Sequence, residues 1–189
     1  MPIAAIDARA ALVVIDLQQG LRDIPLLTPF ADIAARAAAL AAAFREHGLT
    51  VVLVNADARA PGRTEQPRRA LSLPPGWTDI VPELAPRHDD LFVTKHAPGA
   101  FGDSPLAAAL RERGVTQVLV VGVSSSNGVE ATARGAFDLG FNVAIATDAV
   151  TDVDASFHEH SVARIFPRIA ETGSTADVLA LLSQRGSSS

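Results

Sequence analysis

Three short segments carry side chains able to do chemistry. In "VVIDLQQG", Asp16 ends an otherwise apolar run, where a carboxylate is costly unless it is paired or opens into a cleft. In "VTKHAPGAFGDSPL", Lys95 stands at the end of another apolar run. If the two runs flank one cleft, Asp16 and Lys95 form an acid and base pair with mutually shifted pKa values. The plainer alternatives are a structural ion pair and, for Asp16 alone, a turn cap. The third segment, "GVSSSNGVE", leads from an apolar run into a helical pattern. A turn there presents backbone N–H groups and the positive end of a helix dipole, suited to a carboxylate or a developing oxyanion. Ser124, Ser125 and Ser126 offer hydroxyls, but a serine nucleophile needs a base that neither Asp16 nor Lys95 obviously supplies. Compact turn residues that bond backbone or ligand are the simpler reading.

Such groups need a scaffold, and the chain alternates short β-rich apolar runs with helical stretches. "ALVVIDL", "TVVLVN", "LFVTK", "TQVLVVG" and "NVAIAT" read as strands buried on both faces, hence a parallel sheet covered on both sides. Between the first two, Phe30, Ile33, Ala37, Leu40 and Phe44 recur at steps of three and four, one stripe of a helix that Gly48 can end. "DSPLAAALRERG" predicts a second helix, with Ser104 as cap and Pro105 in the first turn. A third is expected from about Gly128 to Leu139, with Glu130, Arg134 and Asp138 toward solvent and Val129, Ala133 and Ala136 toward the core. Further helices are expected over "DASFHEHSVARIF" and "STADVLALLSQ". Ligands of such sheets bind outside the carboxyl ends of the strands, where all three segments fall.

With 189 residues, 48% hydrophobic and 20% charged, the chain is expected to form one globular α/β domain over residues 1–189, with 184–189 as a tail. The formal charge of -5 gives no basic footprint for nucleic acid or an anionic membrane, so a small molecule is the expected partner. "MPIAAIDARA" lacks the basic start and apolar core of a signal peptide, and cytoplasmic residence is expected. With no cysteine there is no thiol nucleophile or thiolate metal site. The stretch over residues 56–77 is rich in Pro and Arg: a solvated loop, a lid or an oligomer contact, with Arg63, Arg68 and Arg69 able to meet substrate carboxylates.

Together and in this order, "IDLQQG", "TKHAPGAFGDSPL" and "GVSSSNGVEATARGAFDLGFNVAIATDAV" resemble the isochorismatase-like hydrolases, over nearly the whole chain. The resemblance implies a three-layer α/β/α sandwich on a six-stranded, mainly parallel sheet, and a homodimer or higher homo-oligomer. Most members use an Asp, Lys and Cys triad; the match puts Asp16 and Lys95 on the first two positions and Gly128 where the cysteine stands. It also implies a cis peptide at Val123 to Ser124. Glycine cannot attack an amide carbon, which closes the acyl-enzyme route. The family's isochorismatases carry glycine there and cleave an enol ether by proton transfer. By resemblance, Asp16 would protonate the enolpyruvyl methylene carbon, water would attack the oxocarbenium ion, and Lys95 would bind a carboxylate or stabilise charge. A nearby ammonium opposes protonation of Asp16, so burial or a substrate anion has to outweigh it.

Isochorismatases of siderophore and phenazine pathways have tyrosine and histidine where Ser124 and Ser126 stand; this chain has no tyrosine. Gln18, Trp77 and Phe101 are candidate lining residues beside the three serines, with ordinary packing the alternative for the two aromatics. A catalytically inactive protein that keeps the pocket to bind a small metabolite is the alternative to a hydrolase. Zinc-binding nicotinamidases carry Asp and His after the second strand, whereas Asp57 has no histidine beside it in the sequence. His158 and His160, two apart on an expected helix, cannot form an i, i+4 zinc pair and are expected to face solvent. No metal is expected, and without a GxGxxG or P-loop no nucleotide cofactor either.

Overall fold

The computed structural model describes residues 2–58, 63–65, 73–102 and 104–185. Side chains alternate across a strand, so a strand between two helical layers must be apolar at every position. The first strand, β1 (Ala10–Ile15), meets that condition with all six residues buried. Leu12 and Val14 point to one layer, while Ala11, Val13 and Ile15 point to the other. Four more expected strands follow: β2 (Thr50–Ala56), β3 (Leu91–Lys95), β4 (Gln117–Val123) and β5 (Asn142–Thr151). A sixth, β6 (Glu171–Gly173), was not distinguished by an apolar run: "ETG" has no alternation to read. The order is β3-β2-β1-β4-β5-β6, and every pair is parallel.

One face is covered by α1 (Phe30–Glu46), whose predicted stripe is buried at all five positions, and by α6 (Thr175–Arg185) through Val178 and Leu182. The other is covered by α2 (Leu106–Glu112), α3 (Glu130–Asp138) and α5 (Phe166–Ile169), through Leu106, Leu110, Ala133, Ala136 and Phe166. The result is the three-layer α/β/α sandwich.

Some local expectations differ. As an edge strand, β3 is buried on one side only, and Phe92 on its other side is exposed. "DASFHEHSVARIF" is not one helix: α4 (Ala155–His160) runs into a π-helical turn over Ser161–Ile165 before α5. Pro167 lies just beyond that turn and has no N–H to give a helical ladder. The third helix is likewise preceded by a π-helical turn over Ser125–Val129, and its regular part starts at Glu130. Strand β5 runs four residues past "NVAIAT", carrying the chain to Asp152 at the sheet's carboxyl edge. Chain order reverses between β1 and β4, so their carboxyl ends flank a topological switch point, the ligand crevice of open parallel sheets.

Candidate active site

Asp16 is the first residue past β1, at φ +56, with its N–H donated to Val54 O at 2.9 Å. That left-handed turn is uncommon for a residue with a side chain. Strand β2 separates β1 from β3, so their ends stand roughly 10 Å apart. The long Lys95 side chain spans the gap, and its Nζ lies 2.8 Å from Asp16 Oδ2, both residues being buried. Burial raises the Asp16 carboxyl to a pKa of about 6, while the charge and hydrogen bond of Lys95 pull it down. Its Oδ1 is buried without a hydrogen-bond partner, a costly condition for an ionised carboxylate. The balance between burial and ammonium therefore leaves an acid that can carry a proton near neutrality.

The end of β4 supplies the facing wall. At Gly122 the backbone has φ +116, and a Cβ would stand 2.1 Å from Ile15 O, so only glycine lets β4 close on β1 here. The Val123–Ser124 peptide is cis. Beyond it the turn brings Gly128 against Asp16: a Cβ at 128 would lie 3.2 Å from Asp16 Oδ2, 3.1 Å from Val123 O and 3.0 Å from Ile15 Cγ2. The turn thus holds residue 128 beside the acid, with Ile15 Cγ2, Val123 O and Asp16 Oδ2 at tight contact distance from any side chain placed there.

The turn does not present an open row of N–H groups, as its sequence suggested. Ser126 N–H donates to Asp152 Oδ2 at 2.8 Å, and the N–H groups of Asn127 and Val129 both donate to Ser124 O. Asp152, delivered by the extended β5, is the anion this turn holds. Burial raises its pKa, but the hydrogen bonds from Ser126, Val153 and Ser125 outweigh this and hold it below the usual carboxylate value. Ser125 is fully buried; its hydroxyl donates to Asp152 Oδ2 at 3.0 Å and accepts from His158 Nδ1 at 2.9 Å. Ser125 and Ser126 therefore do not line the cleft, and Ser125 is no accessible nucleophile. His158, expected to face solvent, is half-buried against Ser125.

A cleft of about 280 Å³ opens between these elements, lined by Asp16, Lys95, Trp77, Ser124, His96 and Asn127, with apolar Leu21, Ile24, Leu26 and Val153 around them. Trp77 lies in it. Its indole rests where a side chain at residue 20 would be, since a Cβ on Gly20 would stand 2.1 Å from Nε1. Gln18 is not a lining residue: fully buried, it donates to Ala56 O and Trp77 O and accepts from Ala56 N–H, tying the Trp77 segment to β2. Phe101 points away, stacked on Phe141 at 5.9 Å and packed against Gly135 of α3. Arg63 is exposed and outside the lining, and Arg68 and Arg69 lie outside the described residues.

Two polar lining residues were not singled out in the sequence, His96 and Asn127. Asp57, without a histidine beside it in sequence, has one beside it in space: His96 Nδ1 lies 2.9 Å from Asp57 Oδ2. The signal was the register, because Ala56 pairs with Lys95 and the next residues on both strands are neighbours. Among the described residues no group of three or more His, Cys, Asp or Glu side chains could hold a metal ion. Nor, among them, is any helix long and apolar enough to cross a membrane.

Over residues 10–177 the chain matches the family model described as the Isochorismatase domain. It is 37% identical over 182 residues to YecD, an isochorismatase family protein of Escherichia coli O157:H7, covering 89% of this chain and 94% of that protein. It is 35% identical over 179 residues to YwoC, of the same family in Bacillus subtilis (strain 168), covering 90% and 93%. A solved structure of an isochorismatase family protein from Burkholderia thailandensis matches with a TM-score of 0.90 at 33% identity, covering 95% of this chain and 98% of that one.

Proposed function

The chain belongs to the isochorismatase family of hydrolases, and on that premise we propose that it hydrolyses a small carboxylated enol ether with Asp16 as general acid and without a covalent intermediate. One observation carries the reading: a buried carboxyl with a pKa of about 6 stands where a thiol would need a base, and Gly128 supplies no thiol. Protonated Asp16 gives its proton to the methylene carbon of the enol ether. Water adds to the resulting oxocarbenium carbon, and the hemiketal loses its alcohol as the carbon–oxygen bond breaks, leaving a ketone. The proton that water sheds on adding returns to Asp16, and the hemiketal's hydroxyl proton leaves with the departing alcohol. Lys95 holds the carboxylate that forms on Asp16 after the first transfer, and Trp77 and Ser124 bound the substrate.

Purified protein assayed with isochorismate and simpler enolpyruvyl ethers tests this. Turnover by the native chain and a loss of about 10²–10⁴-fold in Asp16→Ala and Asp16→Asn are expected, with folding checked by thermal unfolding. No turnover, or turnover untouched by Asp16→Ala, overturns the acid role. The tight packing around Gly128, where the resemblance puts the thiol, and the carboxylate of Asp152 in the turn favour a second reading, a binding protein that consumes nothing. A carboxylated metabolite that raises the melting temperature and is recovered intact would support it.

A further inference from the structure

The cleft carries a second ionisable pair that the acid mechanism leaves unused. Asp57 and His96 are the residues that follow paired positions on β2 and β3, and Asp57 N–H also donates to Lys95 O at 3.3 Å. Their burial is unequal: the Asp57 side chain is 13% exposed and the His96 side chain 48%. A largely buried carboxylate thus anchors an imidazole whose ring reaches the cleft wall. The 2.9 Å contact at Nδ1 fixes ring orientation and places a proton on that nitrogen, so what His96 offers a ligand runs through Nε2.

The Lys95 ammonium is buried against Asp16 Oδ2, whereas the His96 ring is half exposed at the cleft wall, so a substrate carboxylate reaches His96 without parting that pair. An anion bound at His96 also favours the protonated form of Asp16 by repelling its charged form. We propose that His96, held by Asp57, recognises the carboxylate of the substrate at the cleft wall. This rests on the reading that a carboxylated substrate is hydrolysed at Asp16. His96 is here a specificity-determining residue, and Asp57 positions it.

The test uses the full chain as native protein, His96→Gln and Asp57→Asn, with pyruvate and its neutral amide, pyruvamide, as probes. Binding is followed by calorimetry and by the Cε1–H proton resonance that His96→Gln removes. The native protein is expected to prefer pyruvate over pyruvamide by about 10-fold or more, the scale of a charge-assisted hydrogen bond. His96→Gln should abolish that preference and Asp57→Asn should weaken it, at melting temperatures that show both variants folded. The His96 resonance should move on titration with pyruvate. With an enolpyruvyl ether, the His96→Gln defect should fall on KM, whereas Asp16 variants fall on kcat. Equal binding of the two probes by the native protein, or a native-like pyruvate preference in His96→Gln, overturns the assignment. So does a defect confined to kcat. A pyruvate preference that depends on His96, without turnover of any enol ether, would sink the hydrolase reading and leave carboxylate recognition standing; turnover indifferent to His96 would do the reverse.

Discussion

Asp16 is governed by two opposed forces, and which one wins decides what it can do. Burial prevails over the ammonium of Lys95, leaving a pKa of about 6. At pH 7 about one molecule in ten then carries the proton that an acid mechanism needs. The expected kcat/KM is flat below about pH 6 and falls about tenfold per unit above it, read from steady-state rates across pH. A rise to a plateau above that pH would mark Asp16 as a base instead. Stability follows the same sign: the Asp16 contribution is fully present below its ordinary value of 3.8 and is lost as pH rises through about 6. Asp152, whose pKa is lowered, behaves oppositely, stabilising above 3.8 and losing that contribution as pH falls. The sequence indicated that Asp16 and Lys95 could meet, because charged residues ending apolar runs must be reconciled somewhere. It could not indicate which force would win, since that depends on how deeply surrounding side chains exclude water.

At the scale of elements, the site depends on how closely β4 can approach β1. A methyl group at Gly122 would collide with the backbone of Ile15, 2.1 Å from its oxygen and 2.8 Å from its nitrogen, at a φ of +116. Gly122→Ala is therefore expected to destabilise by about 4 kcal/mol or more, measured by urea unfolding, because neither backbone can yield cheaply. The strands and long helices were legible because their apolar spacing is dictated by two-sided burial. The π-helical turns at Ser125–Val129 and Ser161–Ile165 were not, since they change hydrogen-bond spacing without changing composition. The pairing of Asp57 with His96 was hidden for a different reason. It depends on strand register, which no single run of residues expresses. Asp152 and His158 were missed because the apparent end of the fifth strand fell four residues early.

For the molecule as a whole, the two edges of the sheet have different tasks. Chemistry gathers at the carboxyl edge, while the amino edge holds a buried fork of Arg45 on Asp90, at 2.6 and 3.0 Å, completed by Leu84 O and Arg87 N–H. Asp90→Ala would leave the guanidinium buried with its main partner gone, at a cost of about 3–5 kcal/mol. Denaturant unfolding should register that loss, while kcat/KM per folded molecule stays native, because the fork lies at the end of the sheet away from the cleft.

The carboxylate of Asp152 lodged in the turn after β4 bears on which transition states the protein can favour. Donors that could hold negative charge growing on a substrate oxygen are already partly engaged by the protein's own anion. Proton transfer from Asp16, by contrast, creates a carboxylate beside whatever positive charge the substrate acquires. On the proposed acid mechanism this layout favours reactions that pass through a cation, and amides and esters, whose addition step builds an oxyanion, would lack both those donors and a thiol.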